Sequence, residues 1–67
     1  MSFTQYVHRL NSNDASLTSL DLINEDIGDN GATALALALR VNTTLTWINL
    51  ENNKIGDVGA TALAQAL

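Results

Sequence analysis

The chain has 67 residues, no cysteine, and three basic against seven acidic side chains, for a net charge of −4. A chain this short buries only about 60% of its unfolded surface, and without cysteine it has no disulfide to compensate. The acidic balance argues against binding to phosphate backbones, so we expect no nucleic-acid partner.

The first sixteen residues are predicted to be the helical half of a degenerate repeat, in which a helix is followed by a turn. Its apolar side chains recur at helical spacing: Phe3, Tyr6, Val7 and Leu10. Ser2 and Gln5 stand three residues apart, as in a capping box that starts a helix. His8 is the only histidine, and no nucleophile motif accompanies it. We therefore expect a surface or end-cap role for His8, and no enzyme active site or cofactor.

The rest of the chain consists mostly of two copies of one sequence repeat. Residues 17–39 and 45–67, aligned at a step of 28 residues, agree at 15 of 23 positions. A fixed period of this size predicts a repeat architecture. The polar, turn-rich residues 11–16 are taken to correspond to residues 40–44, with Asn13 roughly matching Asn42.

Each copy changes its hydrophobic period once, from that of a strand to that of a helix. The strand positions are Leu17, Leu20 and Leu22, then Leu45, Ile48 and Leu50. One helix face is predicted to comprise Gly31, Ala34, Leu35, Ala38 and Leu39. Asp29 and Asp57 are predicted to cap the helices on which they lie, because a carboxylate can accept hydrogen bonds from the free amides of the first turn.

The pattern LxxLxLxxNxIGDxGAxALAxAL resembles the leucine-rich repeat of the ribonuclease inhibitor type. The resemblance implies an α/β fold, a short right-handed solenoid in the order helix, strand, helix, strand, helix with a small parallel sheet. Asn53 occupies the position whose side chain bonds backbone groups of the turn in this family. Glu25 stands there in the first copy, so we do not expect the asparagine contact in that copy.

We predict a single domain over residues 1–67, made of a degenerate helical half-repeat (1–16), repeat 1 (17–44) and a truncated repeat 2 (45–67). Solenoids usually need about three repeats to bury a continuous core. The sequence stops at Leu67, in the middle of a predicted helix, and no segment of it is predicted to cover this end of the solenoid. Either the chain is part of a longer solenoid, or another copy covers this end in a dimer or a head-to-tail stack.

Binding is predicted on the outward face of the two strands, which is the concave face in the family. Its residues are Ser19, Asp21 and Ile23 from the first copy and Trp47, Asn49 and Glu51 from the second. Trp47 is of the residue type most enriched at interface hot spots, and Ile23 is expected beside it as further apolar area. Asp21 and Glu51 add negative charge, so the patch suits a partner group that is both apolar and positively charged. The alternative is that Trp47 folds over the sheet edge or packs on a further repeat.

Two other features have competing interpretations. The stretch of Asn24, Glu25, Asp26, Asp29 and Asn30 offers oxygens for calcium, but its second copy has fewer carboxylates, which favours turn formation and helix capping. Leu37 is expected on the outer helix face, either as an ordinary exposed leucine or as a contact with another copy. With no signal peptide or apolar run of about 20 residues, we expect a cytoplasmic protein that binds another protein and no membrane.

Overall fold

A computed structural model of the chain describes residues 2–66. Its elements, in chain order, are α1 (Phe3–Asn11), β1 (Ser19–Asp21), α2 (Gly28–Val41), β2 (Trp47–Asn49) and α3 (Asp57–Ala66). The two strands form a parallel sheet in which each residue pairs with the residue 28 positions later. This α/β arrangement confirms the predicted fold class and element order, while Leu67, at the predicted open end, lies outside the described residues.

The hydrophobic core is centred on repeat 1. Its buried residues are Leu10, Leu17, Leu20, Leu22, Leu35 and Ala38. The counterparts of four of these in repeat 2 are only half-buried: Leu45, Ile48, Leu50 and Leu63. The difference arises because α2 packs against both α1 and α3, whereas α3 packs against α2 alone among the described elements.

The first helix begins at the predicted capping box. Ser2 Oγ accepts a hydrogen bond from the Gln5 amide at 3.3 Å, and Gln5 Oε1 accepts one from the Ser2 amide at 2.7 Å. The predicted apolar stripe faces inward, and Leu10 on it is fully buried. α1 therefore covers the side of repeat 1 that repeat 2 does not reach.

The predicted buried face of α2 was wrong at one position. Ala34 is exposed, whereas Ala32 and Ala36 are buried together with Leu35 and Ala38. The physical reason is that α2 has a neighbouring helix on each side as well as the sheet beneath it, so its buried surface is wider than one stripe. Ala34 lies on the remaining, solvent-facing side.

The turns that join strand to helix share two left-handed positions in both repeats. Asn24 and Asn52 both have φ of 58°, and Asp26 and Lys54 have φ of 55° and 56°. These are left-handed conformations, which asparagine and aspartate adopt more readily than most residues. Gly28 also has a positive φ, of 68°, which a side chain would disfavour.

In the turns that precede the strands, Asn42 does not correspond to Asn13, so the predicted match was wrong by one residue. Asp14 Oδ1 accepts a hydrogen bond from the amide two residues later, that of Ser16, and Asn42 Oδ1 does the same from Thr44. Asp14 is therefore the counterpart of Asn42, as the step of 28 requires. Asn13 instead links the turns, because its Oδ1 accepts from the Thr43 amide at 2.8 Å.

Candidate interaction surfaces

We call the outward side of the two-stranded sheet, together with the turns that follow it, the strand face. Its six predicted site residues are Ser19, Asp21, Ile23, Trp47, Asn49 and Glu51, of which Ile23 and Glu51 lie in the turns after the strands. The register places Ser19 opposite Trp47 and Asp21 opposite Asn49. These four side chains alternate along the strands with Leu20 and Ile48, which pack in the core cluster. The sheet therefore brings together the first two pairs of the predicted site.

Ile23 does not lie beside Trp47, contrary to the prediction, because Ser19 is the residue that pairs with Trp47. The Asn24 amide donates to the Glu51 carbonyl at 3.1 Å, so Ile23 is level with Glu51, beyond the pair of Asp21 and Asn49. Trp47 is the first residue of β2, whereas Glu51 lies two residues beyond the end of that strand. Ile23 is thus at the opposite end of the strand face from Trp47.

Trp47 has 53% of its surface exposed and is the chain's only tryptophan. The backbone before it is fixed by hydrogen bonds from the amide and the hydroxyl of Thr46 to the Thr18 carbonyl, at 2.8 and 3.0 Å. Ser19 opposite it is small. The ring therefore has a fixed base and open space beside it, which suits a binding anchor.

The polar residues in the middle of the strand face also shape the backbone. Asp21 Oδ1 accepts from the Ile23 amide at 3.3 Å, and Asn49 Oδ1 accepts from the Glu51 amide at 3.0 Å. Each side chain thus uses one oxygen in a turn at the end of its strand. The second carboxylate oxygen of exposed Asp21 is directed to no protein donor among residues 2–66, whereas Asn49 is half-buried.

The junction between the repeats is built around the side chain of Asn53, which is 2% exposed. Its Oδ1 accepts from the amides of Glu25 and Ile27, and its Nδ2 donates to the carbonyls of Leu22 and Leu50. Asn53 therefore ties its own turn to the turn of the preceding repeat. The side chain of Glu25 is exposed, because the described residues hold no earlier strand whose turn it would bond.

Asp29 forms a second link between the repeats, and here the predicted capping was wrong. No side chain caps α2, which begins after Ile27. The Oδ1 atom of Asp29 instead accepts hydrogen bonds from Gly56 and Gly59, at the start of α3. The close approach of the two helices brings it there. The sequence signal for this contact was the retention of aspartate at positions 29 and 57, together with the glycines at 56 and 59 one repeat after Asp29.

The side of repeat 2 that faces away from repeat 1 is open, and we call it the C-terminal face. It comprises the free edge of β2 with Asp57, Ala60 and Ala64 of α3. All three of these side chains are exposed, whereas Ala32 and Ala36, the counterparts of the two alanines, are buried beneath α3. The C-terminal face is therefore the surface that a further repeat would cover.

Residues 2–66 contain no group of three or more histidine, cysteine, aspartate or glutamate side chains that could hold a metal ion. Across the same residues, the helices are too short or too polar to cross a bilayer. His8 is exposed on α1, as predicted, and Leu37 has 59% of its surface exposed on α2.

Comparison with protein families matches residues 13–36 and 41–64 to the family described as Leucine Rich repeat. These two segments cover 48 of the 67 residues and begin 28 residues apart. No curated protein and no solved structure matched the chain. Leucine-rich repeats are generally protein-interaction modules. The chain belongs to the leucine-rich-repeat family, with repeats like those of the ribonuclease inhibitor type.

Proposed function

We propose that this chain is a non-catalytic protein-interaction module that binds its partner on the strand face. The observation that carries the proposal is the half-exposed ring of Trp47, held on a strand whose backbone is fixed by pairing with β1. A tryptophan on a fixed backbone has only two side-chain torsions to order, so it loses little entropy on binding. Trp47 is therefore the anchor of the proposed site.

The charges of the strand face define the partner further. Asp21 and Glu51 are both exposed, and no basic residue belongs to the strand face. An arginine can stack on a tryptophan ring within about 6 Å, and its guanidinium can also bond a carboxylate. By the strand rise, Asp21 lies roughly 7 Å along the sheet from the level of Trp47. We propose an extended partner segment with a basic residue next to an apolar one.

The test is a panel of fluorescently labelled synthetic peptides in which arginine or lysine alternates with leucine or phenylalanine, with acidic peptides of the same pattern as the comparison. Binding is followed by anisotropy with the wild-type chain, Trp47→Ala and Leu37→Ala. Leu37 is the matched control, since it is as exposed as Trp47 but lies on α2. We expect the basic peptides to bind to the wild-type chain. Trp47→Ala should raise their dissociation constant roughly 30-fold, and Leu37→Ala should leave it unchanged.

Two results would refute the strand-face proposal. One is equal binding of basic and acidic peptides, which would show that the carboxylates of Asp21 and Glu51 do not select a basic partner. The other is equal binding by the wild-type chain and Trp47→Ala. Asp21→Asn is a finer test, because asparagine has the shape of aspartate and can keep the hydrogen bond in the turn but lacks the charge. We expect this variant to bind the basic peptides more weakly and with a smaller dependence on salt.

Self-association through the C-terminal face is a second candidate function. The exposure of Ala60 and Ala64, whose counterparts in repeat 1 are buried, favours a covering partner at this end. Light scattering over a range of concentrations tests whether that partner is another copy. A molar mass that rises with concentration would support self-association, and a constant monomer mass would refute it.

A further inference from the structure

The exposed large hydrophobic side chains lie on two sides of the molecule. Ile23 and Trp47 belong to the strand face. Leu37 and Val41 lie on α2, each with 59% of its surface exposed, and Val58 lies at the start of α3. These three residues are on the helical side, because the helices pack against the inward residues of the sheet. Exposed apolar side chains grouped outside the strand face mark a second candidate contact surface.

Ala34, Leu37 and Val41 form an apolar stripe along α2, and we call these three residues the helix stripe. They stand at i, i+3 and i+7 spacing, which places them on one side of a helix, and all three are exposed. α1 packs against one flank of α2 and α3 packs against the other. Neighbouring helices are therefore already in place on both flanks, and they leave the helix stripe uncovered.

Core packing does not account for the leucine at position 37. Leu37 lies outside the hydrophobic core cluster of the described residues. The step of 28 residues relates it to Arg9 on α1 and to Gln65 on α3. A polar side chain is therefore accommodated at this position on both neighbouring helices. A leucine in the same place adds apolar surface without adding to the packing of the fold, which favours a role in binding.

The charge on the helical side is opposite to the charge on the strand face. All seven acidic residues lie in strands, in the segments between elements or in the first turn of a helix. α1 contains no acidic residue, and α2 and α3 contain none after Asp29 and Asp57. Arg40, next to Val41 and three residues after Leu37, is exposed and forms no ion pair within residues 2–66. The helix stripe therefore has an unpaired positive charge beside it.

We propose that the helix stripe is a second binding surface, which takes an amphipathic helix with acidic residues from another protein. Anchors at i, i+3 and i+7 spacing are typical of helix recognition, and the apolar side of the incoming helix would cover Leu37 and Val41. A glutamate or aspartate at the edge of that side would pair with Arg40. This proposal does not depend on the strand face. A chain with both surfaces would join a basic partner to an acidic one.

A second copy of the chain is a poorer occupant of the helix stripe. Each copy carries a net charge of −4, so two copies repel each other. The stripe has only three apolar side chains, of which Ala34 is small, and a stable dimer buries roughly 800 Å² per partner. A short helix makes a smaller contact and can bind transiently. The charge and the size of the stripe therefore both favour a peptide-like segment with acidic residues.

The test uses a fluorescently labelled helical peptide with leucines at i, i+3 and i+7 spacing and glutamates beside them. A peptide with lysine in place of each glutamate is the comparison. Binding is followed by anisotropy with the wild-type chain, Leu37→Gln and Arg40→Gln. Leu37→Gln introduces the residue type found at the counterpart position, Gln65, so α2 should accept it. Circular dichroism of each variant verifies that it is folded.

We expect saturable 1:1 binding of the glutamate peptide and weaker binding of the lysine peptide. Leu37→Gln should raise the dissociation constant of the glutamate peptide roughly tenfold. Arg40→Gln should raise it roughly threefold, because an exposed ion pair contributes little. Lys54→Gln is the matched control for charge, since it removes an exposed cation from a turn, and it should leave binding unchanged.

Trp47→Ala separates the helix stripe from the strand face. It should leave binding of the helical glutamate peptide unchanged, although it weakens the extended basic peptides, so each proposal can fail alone. Absence of binding at millimolar glutamate peptide overturns the helix-stripe proposal. Equal binding of the glutamate and lysine peptides, or equal binding by the wild-type chain and Leu37→Gln, also overturns it. So does dimerisation that Leu37→Gln abolishes and that excludes the peptide, because a second copy would then occupy the stripe.

Discussion

The carboxylate of Asp29 caps the helix that follows its own, with its Oδ1 atom 2.7 Å from the amide nitrogen of Gly56. The same oxygen accepts the Gly59 amide at 3.0 Å. A cap normally stabilises the helix next to which it stands in sequence. Here the cap stabilises the interface between two neighbouring repeats. The free energies of such interfaces, together with the intrinsic stability of each repeat, determine the stability of a repeat stack.

Asp29→Ala should lower the free energy of unfolding by about 1 to 2 kcal/mol, because two amides at the start of α3 lose their acceptor. Asp57→Ala, the same change one repeat later, should have an effect of about 0.5 kcal/mol, since Asp57 is exposed and contributes only its charge near a helix start. Urea unfolding of both variants measures the difference. Equal losses would show that the capping of α3 by Asp29 contributes little.

Asn53→Ala should lower the free energy of unfolding by about 3 kcal/mol, because the amides of Glu25 and Ile27 and the carbonyl of Leu22 would lose a buried partner. For a chain of 67 residues such a loss is nearly half of the whole stability, at about 0.1 kcal/mol per residue. The control is Asn30→Ala, at an exposed position of α2. Circular dichroism during urea titration would contradict the assignment if both variants unfolded at the wild-type midpoint.

Gly59→Ala should be destabilising by about 1 to 3 kcal/mol, although alanine is the better helix former. An added Cβ would lie within 3.0 Å of atoms of Asp29, Ile55 and Ala32, so α3 would have to move away from α2. Thr61→Ala, on the exposed side of α3, gives the comparison for helix propensity alone. A thermal melt in which Gly59→Ala is as stable as the wild type would mean that the two helices are not held this closely.

Asp14 should make the turn before β1 sensitive to acid. Hydrogen bonds from the Ser16 hydroxyl, the Arg9 guanidinium and the Ser16 amide lower the pKa of Asp14 from 3.8 to about 2. Because the pKa is lower in the folded state, the contribution of Asp14 to stability is complete above about pH 4 and is lost as the pH falls toward 2. NMR titration of the carboxyl measures the pKa, and Ser16→Ala should raise it. An unchanged pKa in Ser16→Ala would contradict the assigned cause.

The sequence predicted the elements because strand and helix periods are local properties. The alternation of Leu20 and Leu22 and the capping box of Ser2 depend only on near neighbours in the chain, and both features appear in the structure. The contacts of Asp29 and the exposure of Ala34 depend on which helices lie on either side of α2. Such contacts between repeats have no local pattern, so a carboxylate at a helix start was assigned to the nearest amides.

The positions of the strand-face residues were predictable where they depend on local alternation, and not where they depend on contacts between the repeats. Alternation placed Ser19, Asp21, Trp47 and Asn49 on one side of the sheet, and the register agrees with that placement. The sequence did not give the distance of Ile23 from Trp47, because that depends on the pairing of the strands. Nor did it indicate that Asp21 and Asn49 each hold a turn in place with one side-chain oxygen.

The uneven burial of the leucines implies a direction of local unfolding. Leu17, Leu20 and Leu22 are buried on all sides, whereas Leu45, Ile48 and Leu50 are only half-covered. Opening free energies within one protein range from near zero up to the global value. Amide hydrogen exchange should therefore be fastest in β2 and α3 and slowest in repeat 1, so that the molecule frays from one end while α1 keeps the other end closed.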